Sequence, residues 1–592
     1  MFAEFLPALG WLLFVSFSLG FALTREKSLA TFGFGIAAFC VLSVIFNLLR
    51  IPLNWLLFLA IAIAIMAYFI WKRELELSLP KADGTTFIVL GLALLNFVVY
   101  WAGASAYPWL EDMDPWLHTV GVKWVAITQS FSRFYDGTEF YRLYIEPYPP
   151  SFDVLMGVLH QMAPSVSTTL KFFNAFLVSL SPIFAFYAVS EITKSRNIAL
   201  LAAFFLLAMP AFMSHFIWAQ TLAMLMLLIS FYAYERALKE PRFMIPAGVA
   251  VGAVAVSQPS TAAIFVIMSA LYALAKFYEG GIPALRQLAI IGAIGLLLAA
   301  TYYVPTVLKY GVEYTGIGLG MFPDLFTPGS SEDFSDATVY GITDYFIVQP
   351  DGRIDQHIGI GVVLGLLALA GLAMAIDALR RGSRESWLAC SVLWFALGIV
   401  GTEGNIMPVK LFPHRFWVFL AIPTAILAAY AYIKLEERWP QYKALLLAGL
   451  VIGVLLTSAA GKLNSQMSIW PPGLDYASQE ELSSYLGIKM AFPENTRVFT
   501  LCSGDIKITG NDMLAEPWLP EYGAFKRDAL KKSPAEVYAF LKKMNYSYLV
   551  LDQSCAKLLG NESAAQLPAA YGMSDRADVL MSEAGFTVFR LK

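Results

Sequence analysis

Long apolar runs alternate with polar segments along this chain, and the runs have the length that a bilayer demands. Crossing about 30 Å of hydrocarbon takes roughly twenty apolar residues in a helix. Runs near 4–23, 29–49, 53–71, 87–106, 167–190, 198–214, 218–234, 243–256, 261–277, 287–308, 358–377, 386–402, 415–433 and 444–460 predict about 13–14 transmembrane helices. The chain therefore reads as a polytopic α-helical membrane protein. Three stretches break the rhythm: 107–166, 309–357 and the tail 461–592.

The first of these stretches carries two helical patterns. Pro115 follows Asp114 and suits the first position of a helix. Trp116, Val120, Trp124 and Ile127 recur on one face, which predicts a helix lying along the membrane interface. After Pro147-Tyr148-Pro149-Pro150, residues 152–162 form a second apolar helix, too short to span. The stretch 309–357 is rich in Gly, Asp and Ser and lacks apolar periodicity, which predicts a mobile loop able to act as a lid.

In the tail, Ser478–Leu486 reads as a capped helix with Glu480 and Glu481 in its first turn. Thr496–Leu501 and Tyr546–Asp552 read as strands, with a helix over Ser533–Met544 between them. That alternation predicts a small α/β module. Two domains follow: a transmembrane part, 1–460, and a soluble α/β domain, 461–592.

Composition supports this reading. Of 592 residues, 58% are hydrophobic and 14% charged, against about a quarter charged in soluble domains. The net charge of −3 implies no nucleic-acid partner. Lys and Arg gather in every second short loop, as at Arg25/Lys27, Lys194/Arg196 and Arg380/Arg381/Arg384, which marks those loops as cytoplasmic. The three long polar stretches then face outside the plasma membrane. Cys40 and Cys390 lie in apolar runs; Cys502 and Cys555 share the tail, either as a disulfide or as two free thiols.

Candidate chemistry concentrates in Glu111-Asp112-Met113-Asp114-Pro115-Trp116-Leu117-His118, directly after an apolar run. Three carboxylates and an imidazole in eight residues suit a divalent cation, Mg²⁺ or Mn²⁺, that neutralises a phosphate. A carboxylate there also suits a general base. Glu111, Asp112 and Asp114 are thus the candidate catalytic groups, and Asp112, Asp114 and His118 the candidate metal ligands. The plainer alternative is that Asp114 caps a helix and the other charges are solvated.

Other polar residues share the same predicted side: His215 and Gln220 in one turn, Ser257-Gln258-Pro259-Ser260 in another, and His414 and Arg415 at the start of a span. A guanidinium there suits a lipid-borne phosphate through a bidentate pair, or snorkels to anchor its helix. No Walker A loop, dinucleotide fingerprint, His-Glu-x-x-His or Cys-x-x-Cys motif is present. Cytosolic ATP is therefore not the expected energy source, and an activated substrate carried by the membrane fits better.

The pattern resembles the GT-C superfamily of membrane glycosyltransferases over most of 87–592. Asp112-Met113-Asp114-Pro115-Trp116-Leu117-His118 is similar to the Asp-Pro-aromatic-x-His stretch of archaeal-type oligosaccharyltransferase catalytic subunits. Tyr148-Pro149-Pro150 resembles the start of the second loop helix in dolichyl-phosphate-sugar protein glycosyltransferases. The chain departs from oligosaccharyltransferases at Ser214–Gln220, which holds no carboxylate, and at Trp470–Tyr476, a remote echo of their Trp-Trp-Asp-Tyr-Gly motif.

The resemblance implies an inverting glycosyltransferase. It would move a sugar from a polyprenyl (dolichyl) phosphate-linked donor to an extracellular protein, lipid or glycan. Asp112 or Asp114 would be base or metal ligand, and Arg415 a donor-phosphate contact. His118, Tyr148, His215, Gln220 and His414 are the further candidate substrate contacts. The alternatives are an oligosaccharyltransferase for protein N-glycosylation, a lipid-linked substrate transporter or flippase, and a non-catalytic scaffold.

Overall fold

The computed structural model describes residues 2–74, 83–132, 144, 146–318, 339–347, 358–404, 413–473, 476, 478–502, 504–572, 575–583 and 585–592. Each apolar run predicted to cross the membrane contains helix. Among the described residues, nine helices are long and apolar enough to cross a bilayer, and five shorter apolar ones accompany them. The runs 261–277 and 287–308 join in one helix, Pro259–Gly318, broken at Gly281. Gly281 takes φ 68°, a left-handed angle that glycine adopts without steric cost. The molecule is a multi-pass membrane protein. Pro413–Arg438 and Ala219–Lys239 run through the centre of the bundle, whereas Pro440–Met467 lies at its rim.

One predicted span is cut short. The run 198–214 forms a helix only over Arg196–Ala208. Pro210 lacks an N–H and pushes the residue before it out of helical geometry, and Met209 is extended. The carbonyls freed by this break are capped by a buried cation: the Lys462 ammonium donates to the carbonyls of Met209, at 3.2 Å, and of Phe212 and Met213.

The tail carries a four-stranded sheet of order β1-β2-β4-β3. β1 (Val498–Thr500) and β2 (Tyr548–Leu551) are parallel, with Val498 opposite Tyr548. The helix Pro534–Lys543 lies between them in sequence and opens with a capping box of Ser533 and Glu536. β3 (Ala577–Glu583) and β4 (Phe586–Leu591) form an antiparallel hairpin that the sequence reading did not include. Cys502 and Cys555 are disulfide-bonded, so the open alternative of two free thiols is set aside. The predicted capped helix is present as Gln479–Ala491, with Ser478 accepting from the Glu481 N–H.

The first loop helix, Asp114–Thr128, departs from expectation. It does not lie along an interface: Pro115 through Val125 are buried. The tail covers it. The Trp124 and Trp518 rings stack at 6.2 Å. A Cβ at Gly510 would lie 2.0 Å from the Trp116 ring, so only glycine permits this approach. Lys123 is fully buried and reaches Glu494 at 2.8 Å and Asn495 at 2.5 Å. An interfacial stripe and a face docked on a second layer have the same helical period, so pattern alone does not separate them. Most of the predicted mobile loop 309–357, including Glu332, Asp333 and Asp336, lies outside the described residues. Asp344 caps the short helix Ile342–Phe346 by accepting from the Gly341 N–H at 2.7 Å.

Candidate functional site

The helix Asp114–Thr128 starts where Pro115 predicts, but Asp114 is not its cap: Met113 occupies that position and no side chain caps the helix. The Asp114 carboxylate instead accepts a hydrogen bond from the Tyr144 hydroxyl. Tyr144 and Tyr148 have their rings 4.4 Å apart, and the His118 ring lies 4.5 Å from that of Tyr144. Burial pushes the Tyr144 phenol well above its ordinary range, and the Asp114 charge adds to this while Arg415 opposes it. Tyr148 is also raised by burial, opposed by Arg415.

Asp114, Tyr144, Tyr148 and Arg415 thus form one electrostatic neighbourhood, with the His118 ring packed against the two tyrosines. Arg415, in the first turn of Pro413–Arg438, donates through Nη1 to the Ser260 hydroxyl. Gln258 Nε2 donates to the same hydroxyl at 2.6 Å. The turn at 257–260 therefore does converge on Arg415.

Further hydrogen bonds hold this segment on the bundle. The Tyr302 hydroxyl donates to the Tyr148 carbonyl at 2.7 Å. Glu146 accepts from the Tyr310 hydroxyl at 3.0 Å and pairs with Lys309. The helix Ser151–His160 then follows, buried throughout. It brings Asp153 to His118, with Oδ1 2.7 Å from Nδ1.

The remaining carboxylates go elsewhere. Glu111 is fully buried, with the Tyr107 hydroxyl beside its carboxylate. Burial pushes it up to about 7, against the opposing pull of Lys171. Lys171 in turn donates to the Tyr107 carbonyl at 2.7 Å. Asp112 takes φ 44° and donates its N–H to the Pro471 carbonyl at 2.9 Å. It lines a separate cavity of about 730 Å³ with Pro471, Pro472, Gly473 and Tyr476.

The three neighbouring acids of the sequence therefore occupy three environments. The expected cation set of Asp112, Asp114 and His118 is not assembled: Asp114 faces Tyr144, His118 faces Asp153, and Asp112 faces the tail. Among the described residues no group of three or more His, Cys, Asp and Glu is arranged to hold a metal.

His215 belongs with the Glu111 neighbourhood. Its ring stacks on Trp470 at 3.7 Å, its Nδ1 hydrogen-bonds Gln466 at 3.0 Å and its Nε2 the Tyr107 hydroxyl at 3.1 Å. Burial, helped by the Lys171 charge, pushes it down to about 3, so it stays neutral at ordinary pH. A neutral imidazole with both nitrogens engaged has no donor left for a phosphate. Gln220 is buried in the first turn of Ala219–Lys239, its Oε1 without a hydrogen-bond partner among the described residues. His414 sits beside Arg415 in the same helical turn.

Sequence reading missed Tyr144, Asp153, Ser260 as the Arg415 partner, and Lys171. Asp153 and Lys171 were visible in principle as lone charges inside apolar helical patterns, which are costly to bury unless paired. Tyr144 carried no such signal.

The comparisons agree with this architecture. Residues 14–491 match the model of a family described as of unknown function, DUF6541, and the chain belongs to that family. ArnT from Cupriavidus metallidurans bound to undecaprenyl phosphate is similar in structure, with 13% identity and a TM-score of 0.51 over 86% of this chain and 98% of that one. The Archaeoglobus fulgidus oligosaccharyltransferase in its apo form matches with 13% identity and a TM-score of 0.47, over 82% and 71% of the two chains. The same archaeal enzyme in complex with an inhibitory peptide and a dolichol-phosphate matches with 11% identity and a TM-score of 0.47, over 83% and 72%. The fold is similar to that of ArnT. No curated protein matches the chain.

Proposed function

We propose that this protein is a membrane glycosyltransferase that moves a sugar from a polyprenyl-phosphate carrier to an acceptor hydroxyl on the outer side of the plasma membrane. The carrying observation is the Asp114 carboxylate held by the Tyr144 hydroxyl, with the Tyr144 and Tyr148 rings 4.4 Å apart and the Arg415 charge acting on both phenols. The GT-C fold supports this reading, and so does the undecaprenyl phosphate bound by the similar ArnT.

In the reaction, the acceptor oxygen forms its bond to the anomeric carbon as the bond from that carbon to the phosphate oxygen breaks. Asp114 takes the proton of the acceptor hydroxyl. Arg415 pairs with the charge that grows on the leaving lipid phosphate, with a planar fork matched to phosphate oxygens. Attack on the face opposite the leaving group inverts the anomeric centre. Tyr144 holds the Asp114 carboxylate and Ser260 holds the guanidinium.

The test is incubation of membranes carrying the protein with radiolabelled polyprenyl-phosphate sugars. Transfer by the native chain and its loss in Asp114→Asn and Arg415→Ala are expected. Undiminished transfer in both variants would refute the assignment.

A further inference from the structure

One buried pair near Asp114 is used by none of the steps above. His118 and Asp153 are 1% and 4% exposed. Asp153 Oδ1 lies 2.7 Å from His118 Nδ1, while His118 Nε2 and Asp153 Oδ2 are buried with no hydrogen-bond partner among the described residues. The imidazole is clamped between rings, with centroids 4.5 Å from Tyr144, 4.8 Å from Phe152 and 6.2 Å from Tyr148. Two of those rings belong to the Asp114 and Arg415 neighbourhood. Asp153 is equally confined: a Cβ on Gly121 would come 2.3 Å from its Oδ2, so the carboxylate fits against the Asp114–Thr128 helix only because glycine stands there.

A satisfied core histidine uses both nitrogens, as His215 does. His118 uses one. A buried polar atom left without a partner carries a desolvation cost that a bound group would relieve. Asp153 determines what kind of group that is. A carboxylate accepting the Nδ1–H leaves the neutral ring with a bare Nε2, which accepts a hydrogen bond and has none to give. The partner must then be an O–H or N–H donor, which a fully ionised phosphate lacks.

We infer that Asp153 is a positioning residue that locks His118 in the Nδ1–H tautomer, and that His118 Nε2 binds a hydroxyl of the acceptor or of the transferred sugar rather than the lipid phosphate or a metal ion. This deepens the glycosyltransferase reading and rests on it for the identity of the substrate. The tautomer itself can be tested without that reading.

The protein has five histidines, so ¹⁵N-histidine labelling of the full chain in lipid gives a resolvable spectrum, with His118→Gln identifying its signals. The expected state is one N–H nitrogen and one bare nitrogen, unchanged when undecaprenyl phosphate alone is added. A doubly protonated ring, an Nε2–H tautomer, or proton gain on adding the lipid phosphate would each overturn the inference. In Asp153→Asn, where the amide can donate to Nδ1, the tautomer should reverse. Turnover should then fall about 100-fold, with the KM for the polyprenyl-phosphate sugar within about threefold of the native value. His118→Gln, which keeps an acceptor oxygen, should retain more turnover than His118→Leu. Native turnover in Asp153→Asn, or equal loss in the two His118 variants, would also overturn it. If the native chain transfers no sugar, the glycosyltransferase reading fails while the tautomer result stands.

Discussion

The Tyr144 hydroxyl donates its hydrogen to the carboxylate of Asp114, thirty residues earlier in the chain. This bond turns a residue that could have been a helix cap toward Tyr144, whose ring lies 4.4 Å from that of Tyr148. Removing the charge while keeping the shape, as in Asp114→Asn, should lower sugar transfer by about 10²- to 10⁴-fold, the range for loss of a general base. Tyr144→Phe leaves the carboxylate in place but unrestrained, and its loss should be smaller. Initial rates at saturating donor separate the two variants.

Arg415 contacts Ser260 through one guanidinium nitrogen. A charge-assisted hydrogen bond is worth about 1.5–3 kcal/mol. Arg415→Ala should therefore raise the KM for the lipid-linked donor by roughly 10- to 100-fold. Arg415→Lys should recover little, because an ammonium cannot reproduce the planar fork. Donor titrations at fixed acceptor measure both.

His215 provides a pH dependence with a definite sign. Its folded state holds the pKa near 3, below the ordinary value of 6.5. Between those values the unfolded chain binds a proton that the folded chain does not, so stability is lost as pH falls from about 6.5 toward 3. His160, also held low chiefly by its burial, acts in the same direction. The slope attributable to His215 approaches about 1.4 kcal/mol per pH unit inside that window. Thermal melts in detergent between pH 5 and 7.5 should show a flatter profile for His215→Gln than for the native chain.

The Cys502–Cys555 bond spans 53 residues of the tail. Closing a loop of that length removes unfolded-state entropy worth about 4 kcal/mol in the chain-entropy treatment. The double variant Cys502→Ala/Cys555→Ala should lose the tail's resistance to limited proteolysis at a lower temperature. Reduction of the native protein should reproduce that loss, and gel shifts with a thiol-reactive label follow it.

Lys123 reaches from the loop helix into the tail, where Glu494 receives it and where His160 also lies 3.2 Å from Glu494. Removing one partner of a buried ion pair costs roughly 3–5 kcal/mol. Glu494→Ala should approach the lower end of that range, since it removes the counter-charge of a fully buried ammonium that keeps its hydrogen bonds to Asn495 and the Asp512 carbonyl. Lys123→Met should be milder, because the stranded Glu494 side chain keeps 27% of its exposure to water. Melting temperatures of the two variants at one pH decide the order.

What the sequence by itself determined was everything that repeats or punctuates locally. The apolar runs have to be helices, because in hydrocarbon no other open structure satisfies the backbone. Pro115 places a helix start through interactions within a few residues; the break at Pro210 and the capping box of Ser533 and Glu536 are equally local but were not read from the sequence. The strand–helix–strand order of the tail was legible for the same reason.

Tertiary structure decided which neighbours in sequence become neighbours in space. Glu111, Asp112 and Asp114 span four positions, yet Lys171, Pro471 and Tyr144 claim one each. Asp153 reaches His118 across thirty-five positions, and Lys123 reaches Glu494 across 371. The same packing buried a helix whose stripe suited a membrane surface, and paired β4 with β2. Local pattern records how often a side chain turns inward. The partner it meets there depends on chain closures over tens to hundreds of residues, which no local period encodes.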